Sequence, residues 1–171
     1  MAEREIFFSR VSRFVAGTVG QPGERAFFLQ ARDDKRIVTV AVEKMQVQAL
    51  SERINILLRE LRITEPLIAI ETLPDDSASL ETPIDQEFVV GEIGISYDEE
   101  NRTLEIELVE IAESEDDDLT VVTVSLSLAQ AAAFVKRSIA LVSAGRTTCP
   151  FCGGPINKSG HLCPRANGYR R

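Results

Sequence analysis

The chain has 171 residues, 44% of them hydrophobic, and a formal net charge of −8. That length buries one sizeable core and leaves room for a small appendage, not for two full domains. No run reaches the roughly 18–20 apolar residues of a membrane helix, and the opening MAEREIFFSR lacks the basic-then-apolar order of a secretory signal, so a soluble, cytoplasmic protein without membrane contact is expected.

The charge is unevenly placed. Residues 145–171 carry Arg146, Lys158, Arg165, Arg170 and Arg171 and no acid, which leaves 14 basic against 27 acidic groups in the first 144. The body repels nucleic acid, whereas the tail attracts either nucleic acid or the acidic body itself.

After a polar start, Val11 to Val19 has the β-branched and aromatic content of a strand, and Gly20 to Glu24 (GQPGE) is a concentrated turn signal. Arg25 to Arg32 returns, Asp33 to Lys35 turns again, and Arg36 to Val42 alternates as a half-buried strand does, completing an antiparallel meander of three. From Glu43 to Arg62 the period changes: Val47, Leu50, Ile54, Leu57, Leu58 and Leu61 recur at three- and four-residue steps and define one helical face. Such a face packs on a sheet or lines a groove. Thr64-Glu65-Pro66 ends the helix, because proline disfavours helical geometry at the residue before it.

Residues 65–86 are rich in proline, acid and serine and read as a connector. Asp75 and Asp76 within it are metal ligands, a carboxylate pair for acid/base work, or the solvated charges of a linker, which explain them at least as well. Strands resume at Glu87 to Tyr97, Arg102 to Ile111 and, past the acidic loop AESEDDD, Leu119 to Leu126. Ser127 to Ala144 is a second helix with Leu128, Ala131, Ala132, Val135, Ile139 and Val142 on one face, a Ser127/Gln130 capping box at its start and Gly145 at its stop.

Strand, strand, strand, helix has then occurred twice. At an offset of 84 residues, Val38, Thr39, Val40, Gln46, Ala49 and Arg53 fall on Val122, Thr123, Val124, Gln130, Ala133 and Arg137. The expectation is an α+β body, residues 1–144, built by internal βββα duplication, with halves of about 1–64 and 87–144 joined by linker 65–86. Residues 145–171 form a small zinc-ribbon-like arm.

All three cysteines and the only histidine lie in CPFCGGPINKSGHLC. A soft divalent ion needs such donors gathered at one point, and the C-x2-C spacing of Cys149 and Cys152 lets a tight knuckle aim both sulfurs at one ion. His161 and Cys163 are one residue apart, which serves if the segment is extended and Leu162 faces away. Cys149, Cys152, His161 and Cys163 are therefore read as a Zn²⁺ site, with unligated or redox-active thiols as the alternative. Four protein donors close the coordination sphere, which favours a structural ion. No second histidine exists to serve a hydrolytic triad, and no phosphate-binding glycine motif is present. No catalytic residue is assigned.

The blocks FVAGTVGQPGERAFFLQAR, VAVEKMQVQALSERI and CPFCGGPINKSGHLCPRANGYRR resemble a bacterial, actinobacterial-type family of unassigned function, domain-of-unknown-function family 3090. The resemblance spans nearly the whole chain and implies a fold unit in a bacterial cytoplasm, with no activity attached. The reading of the residues is a non-catalytic zinc-binding protein that recognises a partner protein or small ligand. Alternatives are a nucleic-acid-associated protein using Arg146, Lys158, Arg165, Tyr169, Arg170 and Arg171, and an enzyme with its site between the halves.

Overall fold

The computed structural model describes residues 4–114, 117–145, 147–156 and 160–166. Where β-branched and aromatic residues alternate, strands form: β1 (Arg4–Phe8), β2 (Arg13–Val19), β3 (Ala26–Arg32) and β4 (Ile37–Val42), then β5 (Gln86–Asp98), β6 (Thr103–Glu110) and β7 (Thr120–Ser127). Each meander is followed by its helix, α1 (Lys44–Thr64) or α2 (Leu128–Ser143). The polar start expected at the N-terminus is in fact β1. Its partner is β7, more than a hundred residues on and parallel, so no local hairpin signal announces it.

All seven strands make one sheet in the order β1-β7-β6-β5-β4-β3-β2. Its two edge strands, β1 and β2, are consecutive in the chain, separated only by residues 9–12. That gap spans at most about 18 Å, so the edges are drawn together and the sheet must curl round on itself. Arg36, in the β3–β4 turn, crosses the gap: its guanidinium donates to the Phe7 carbonyl and stands 4.4 Å from the centre of the Phe8 ring. Inside the curl lies one core to which every strand and both helices contribute, among them Phe8, Phe14, Leu29, Val40, Val90, Ile106 and Val124.

The helices are positioned by their apolar faces. In α1, Val47, Leu50, Ile54, Leu58 and Leu61 are buried as the periodicity predicts, and Leu57 is partly buried at the margin. In α2 the buried face is Leu128, Ala131, Phe134, Val135 and Ser138, rotated from the expected one, and Ile139 is 51% exposed. The rotation follows from Phe134, which stacks on Phe14 of β2 with ring centroids 4.9 Å apart. α2 also shields the free edge of β2. Arg137 Nε donates to the Ala16 carbonyl at 2.8 Å, and Gln130 Nε2 donates to the Val11 carbonyl, also at 2.8 Å.

The two meanders have equivalent registers. Arg13↔Arg32 through Val19↔Ala26 corresponds to Glu92↔Val109 through Asp98↔Thr103, and Phe27↔Val42 corresponds to Leu104↔Leu126. The parallel pairing Thr39↔Gln86 that joins β4 to β5 has its counterpart in Thr123↔Phe7, which joins β7 to β1. Thus β1 and β2 together stand where the single long strand β5 stands in the other half.

The connector 65–86 contains no strand or helix before Gln86, yet it is tied down as a strap. Leu80 sits directly over Gly17, where an added Cβ would come 2.4 Å from its Cγ, and packs with Val15 and Phe28. Buried Gln30 binds the backbone of Glu81 in both directions, at 3.1 and 2.9 Å. The aspartates read from sequence as solvated linker charges are paired. Asp76 bonds Arg13 at 2.6 Å and Arg137 at 3.3 Å, and Asp75 bonds Lys136 at 2.5 Å.

Candidate functional site

The donor cluster is built by a short knuckle. Thr148 bridges Pro155, the Cys149 N–H donates to the Gly154 carbonyl at 2.7 Å, and the Gly153 N–H returns to the Cys149 carbonyl at 2.9 Å. Gly153 turns the chain at φ +73°, in the left-handed region that favours glycine. A Cβ at Gly154 would crowd the donors, lying 3.3 Å from Cys152 Sγ and 3.4 Å from His161 Cε1.

This knuckle and the returning segment bring the sequence-distant pair onto the first pair. Cys149, Cys152, His161 and Cys163 each offer one ligand atom, and the four atoms lie within 4.8 Å of one another. Cys149 Sγ and Cys163 Sγ are 3.7 Å apart, and Cys152 Sγ is 3.0 Å from His161 Nε2. A tetrahedral ion with metal–sulfur bonds of about 2.3 Å sets its sulfurs about 3.8 Å apart, whereas a disulfide needs about 2.05 Å. The sulfur pair therefore has the spacing of shared coordination rather than of a bond. Cys149 and Cys163 are buried, and Leu162 between the second pair of donors is 85% exposed, as an extended segment with alternate faces requires.

The electrostatics also suit a cation. N–H groups of Cys152 and Phe151 aimed at Cys149 lower its thiol to about 6, which favours the thiolate form that binds a metal. At Cys152 the Gly154 N–H works in the lowering direction, but burial and the neighbouring Cys163 and Cys149 raise the thiol on balance. The Ala166 N–H points at Cys163 Sγ from 3.3 Å, the kind of outer bond that orients a ligating sulfur. These four residues could hold a metal ion.

Of the tail residues expected to contact nucleic acid or a partner, Arg165 donates to the Phe151 carbonyl at 3.2 Å and so braces the knuckle. Arg146, Lys158, Tyr169, Arg170 and Arg171 lie outside the described residues.

A second concentration of charge, missed in the sequence, lies where the strap meets α2. Asp76 accepts from Arg13 through both carboxylate oxygens, at 2.6 and 3.0 Å, and Arg137 Nη1 donates to its backbone carbonyl at 2.6 Å. These bonds, led by Arg13, hold the Asp76 carboxyl below its ordinary range, while burial lowers Arg137. The acidic character of the linker was visible; its partners Arg13 of β2 and Lys136 and Arg137 of α2 lie far apart in the chain and carry no joint motif. Beside this lock is a cavity of about 590 Å³ between the strap and α2. No described helix is long and apolar enough to cross a membrane.

Residues 6–163 match the family described as Protein of unknown function (DUF3090). No curated protein and no solved structure matches the chain.

Proposed function

Given that the chain belongs to the DUF3090 family, we propose that it is a cytoplasmic, non-catalytic zinc-binding protein, with a duplicated body (1–144) that recognises a partner and an arm (145–171) shaped by a structural Cys3His zinc site. The observation that carries the metal reading is the convergence of four soft donor atoms within 4.8 Å, with a sulfur–sulfur spacing of 3.7 Å. Zinc is the ion of choice for three thiolates and one imidazole at tetrahedral spacing. With four protein donors the sphere is full and leaves no place for a reacting water, so the ion's role is to order the arm.

The equivalent registers of the two meanders, and the equivalent joins between β4 and β5 and between β7 and β1, support the duplication. A βββα unit alone leaves its outer strand edges and one helix face uncovered; in the joined body β5 pairs with the β4 edge and the two helices pack on each other.

Metal analysis of the purified full-length chain tests the reading. One zinc per chain is expected, falling to well under half in Cys149→Ser and Cys163→Ser. A wild-type chain that is metal-free while its knuckle amides stay protected from exchange would refute it.

A further inference from the structure

The cavity beside the Asp76 lock has a lining that selects one kind of occupant. Its floor is α2, where Ala129, Ala132, Ala133 and Ala140 present nothing beyond a methyl group, and its roof includes Ile70, Leu73 and Pro74 of the strap. At about 590 Å³ the space is within the range of small-molecule sites. An apolar chamber of that size gains free energy when apolar surface displaces water from it.

Its charge is the second observation. Arg13, Arg62, Lys136 and Arg137 face three carboxylates, Glu71, Asp75 and Asp76, so the lining carries one cation in excess. This stands against the trend of the first 144 residues, which hold 14 basic and 27 acidic groups. The excess is centred on the lock, where two guanidiniums share one carboxylate. Arg137 spends Nε on Ala16 and Nη1 on Asp76, and among the described residues its Nη2 has no partner.

We propose that this chamber binds a small amphipathic monoanion: an unbranched or aromatic carboxylic acid with its apolar body against Ala132, Ala133, Ile70 and Leu73 and its carboxylate at Arg137. One negative charge neutralises the lining. A phosphate dianion would leave a net negative charge beside apolar walls, and a cation would double the excess. The strap is the element that would move to admit the ligand, since the roof is held by side-chain pairs to Arg13, Lys136 and Arg137 rather than by sheet hydrogen bonds. This inference deepens the reading of the body as a binding unit and does not involve the metal.

The test is calorimetric titration of the zinc-loaded full chain with decanoate, decyl phosphate and decyltrimethylammonium. Decanoate should bind one per chain, decyl phosphate about tenfold more weakly, and the cation not at all. Ala133→Phe, which fills the chamber, should abolish decanoate binding, and Arg137→Gln should weaken it about tenfold. Decanoate binding should persist unchanged in Cys163→Ser, so that a failed metal site and a failed chamber give different results. Absence of decanoate binding, equal binding of the cation, tighter binding of the phosphate, or full binding by Ala133→Phe would each overturn the proposal.

Discussion

Gln46 and Gln130 perform the same pair of tasks in the two halves. Each accepts the N-cap N–H of its helix through Oε1, at 2.8 and 3.0 Å, and each donates from Nε2 to a carbonyl of the sheet region, Val90 of β5 at 3.1 Å or Val11 in the β1–β2 link at 2.8 Å. Val90 and Val11 are equivalent positions in the register of the halves, both buried. One side chain thereby starts a helix and fastens it to the sheet, through β5 in one case and the β1–β2 link in the other.

Because at least two bonds depend on each amide, Gln46→Ala and Gln130→Ala should each cost about 1–3 kcal/mol, above an ordinary cap deletion of ~1 kcal/mol. Urea denaturation of the two variants checks this. Losses of a few tenths would show that the strand carbonyls are as well served by water.

The strap is seated by a steric fit that a single methyl group disrupts. A Cβ on Gly17 would lie 2.4 Å from Leu80 Cγ, so Gly17→Ala should unseat Leu80 and destabilise by about 1–3 kcal/mol. Leu80→Ala should cost about 2–3 kcal/mol by emptying the same space. The double variant should be no worse than the more damaging single one, because the methyl group then occupies room that leucine has left. Additive losses in the same denaturation series would place the two residues out of contact.

Both meanders, both helices and the donor cluster were legible because each is written locally, as alternation, as a 3.6-residue period or as clustered rare residues. What was not legible depends on partners far along the chain. Phe7 and Phe8 become a strand only through β7, and Asp76 becomes a lock only through Arg13 and Arg137. The strap also accounts for a difference between the two meanders. Val15, Phe28 and Ala41 lie against its Leu80 and Ile84, whereas the equivalent register positions hold Gly94, which is exposed, and Glu105 and Ser125, which are half-buried. An apolar outer face in one half and a polar one in the other reads as noise until the covering segment is seen.

The lock gives a pH dependence of known sign. Its partners lower the Asp76 pKa below the ordinary 3.8, so its contribution is complete above that value and is lost as pH falls through the lowered one. Limited proteolysis in the connector should therefore rise below about pH 4 in the wild type. Asp76→Asn should be susceptible at neutral pH with a much flatter profile. A steep acid transition that survives in Asp76→Asn would assign the linkage to another carboxylate.

On the proposed zinc reading, removal of the metal should separate arm from body. The core is formed by strands and helices that end at Ser143, and none of its buried residues belongs to the donor segment. The knuckle, by contrast, is held by a few backbone bonds, among them Cys149 to Gly154, around a cluster of sulfurs that repel one another once deprotonated. A chelator should therefore expose the amides of Cys149, Gly153 and Ile156 to rapid hydrogen exchange while leaving protection of β6 and α1 unchanged. The same pattern should appear in Cys163→Ser without chelator, and zinc should restore protection in the wild type alone. Loss of β6 protection on chelation would make the ion part of the body's stability, and the arm would then be no appendage.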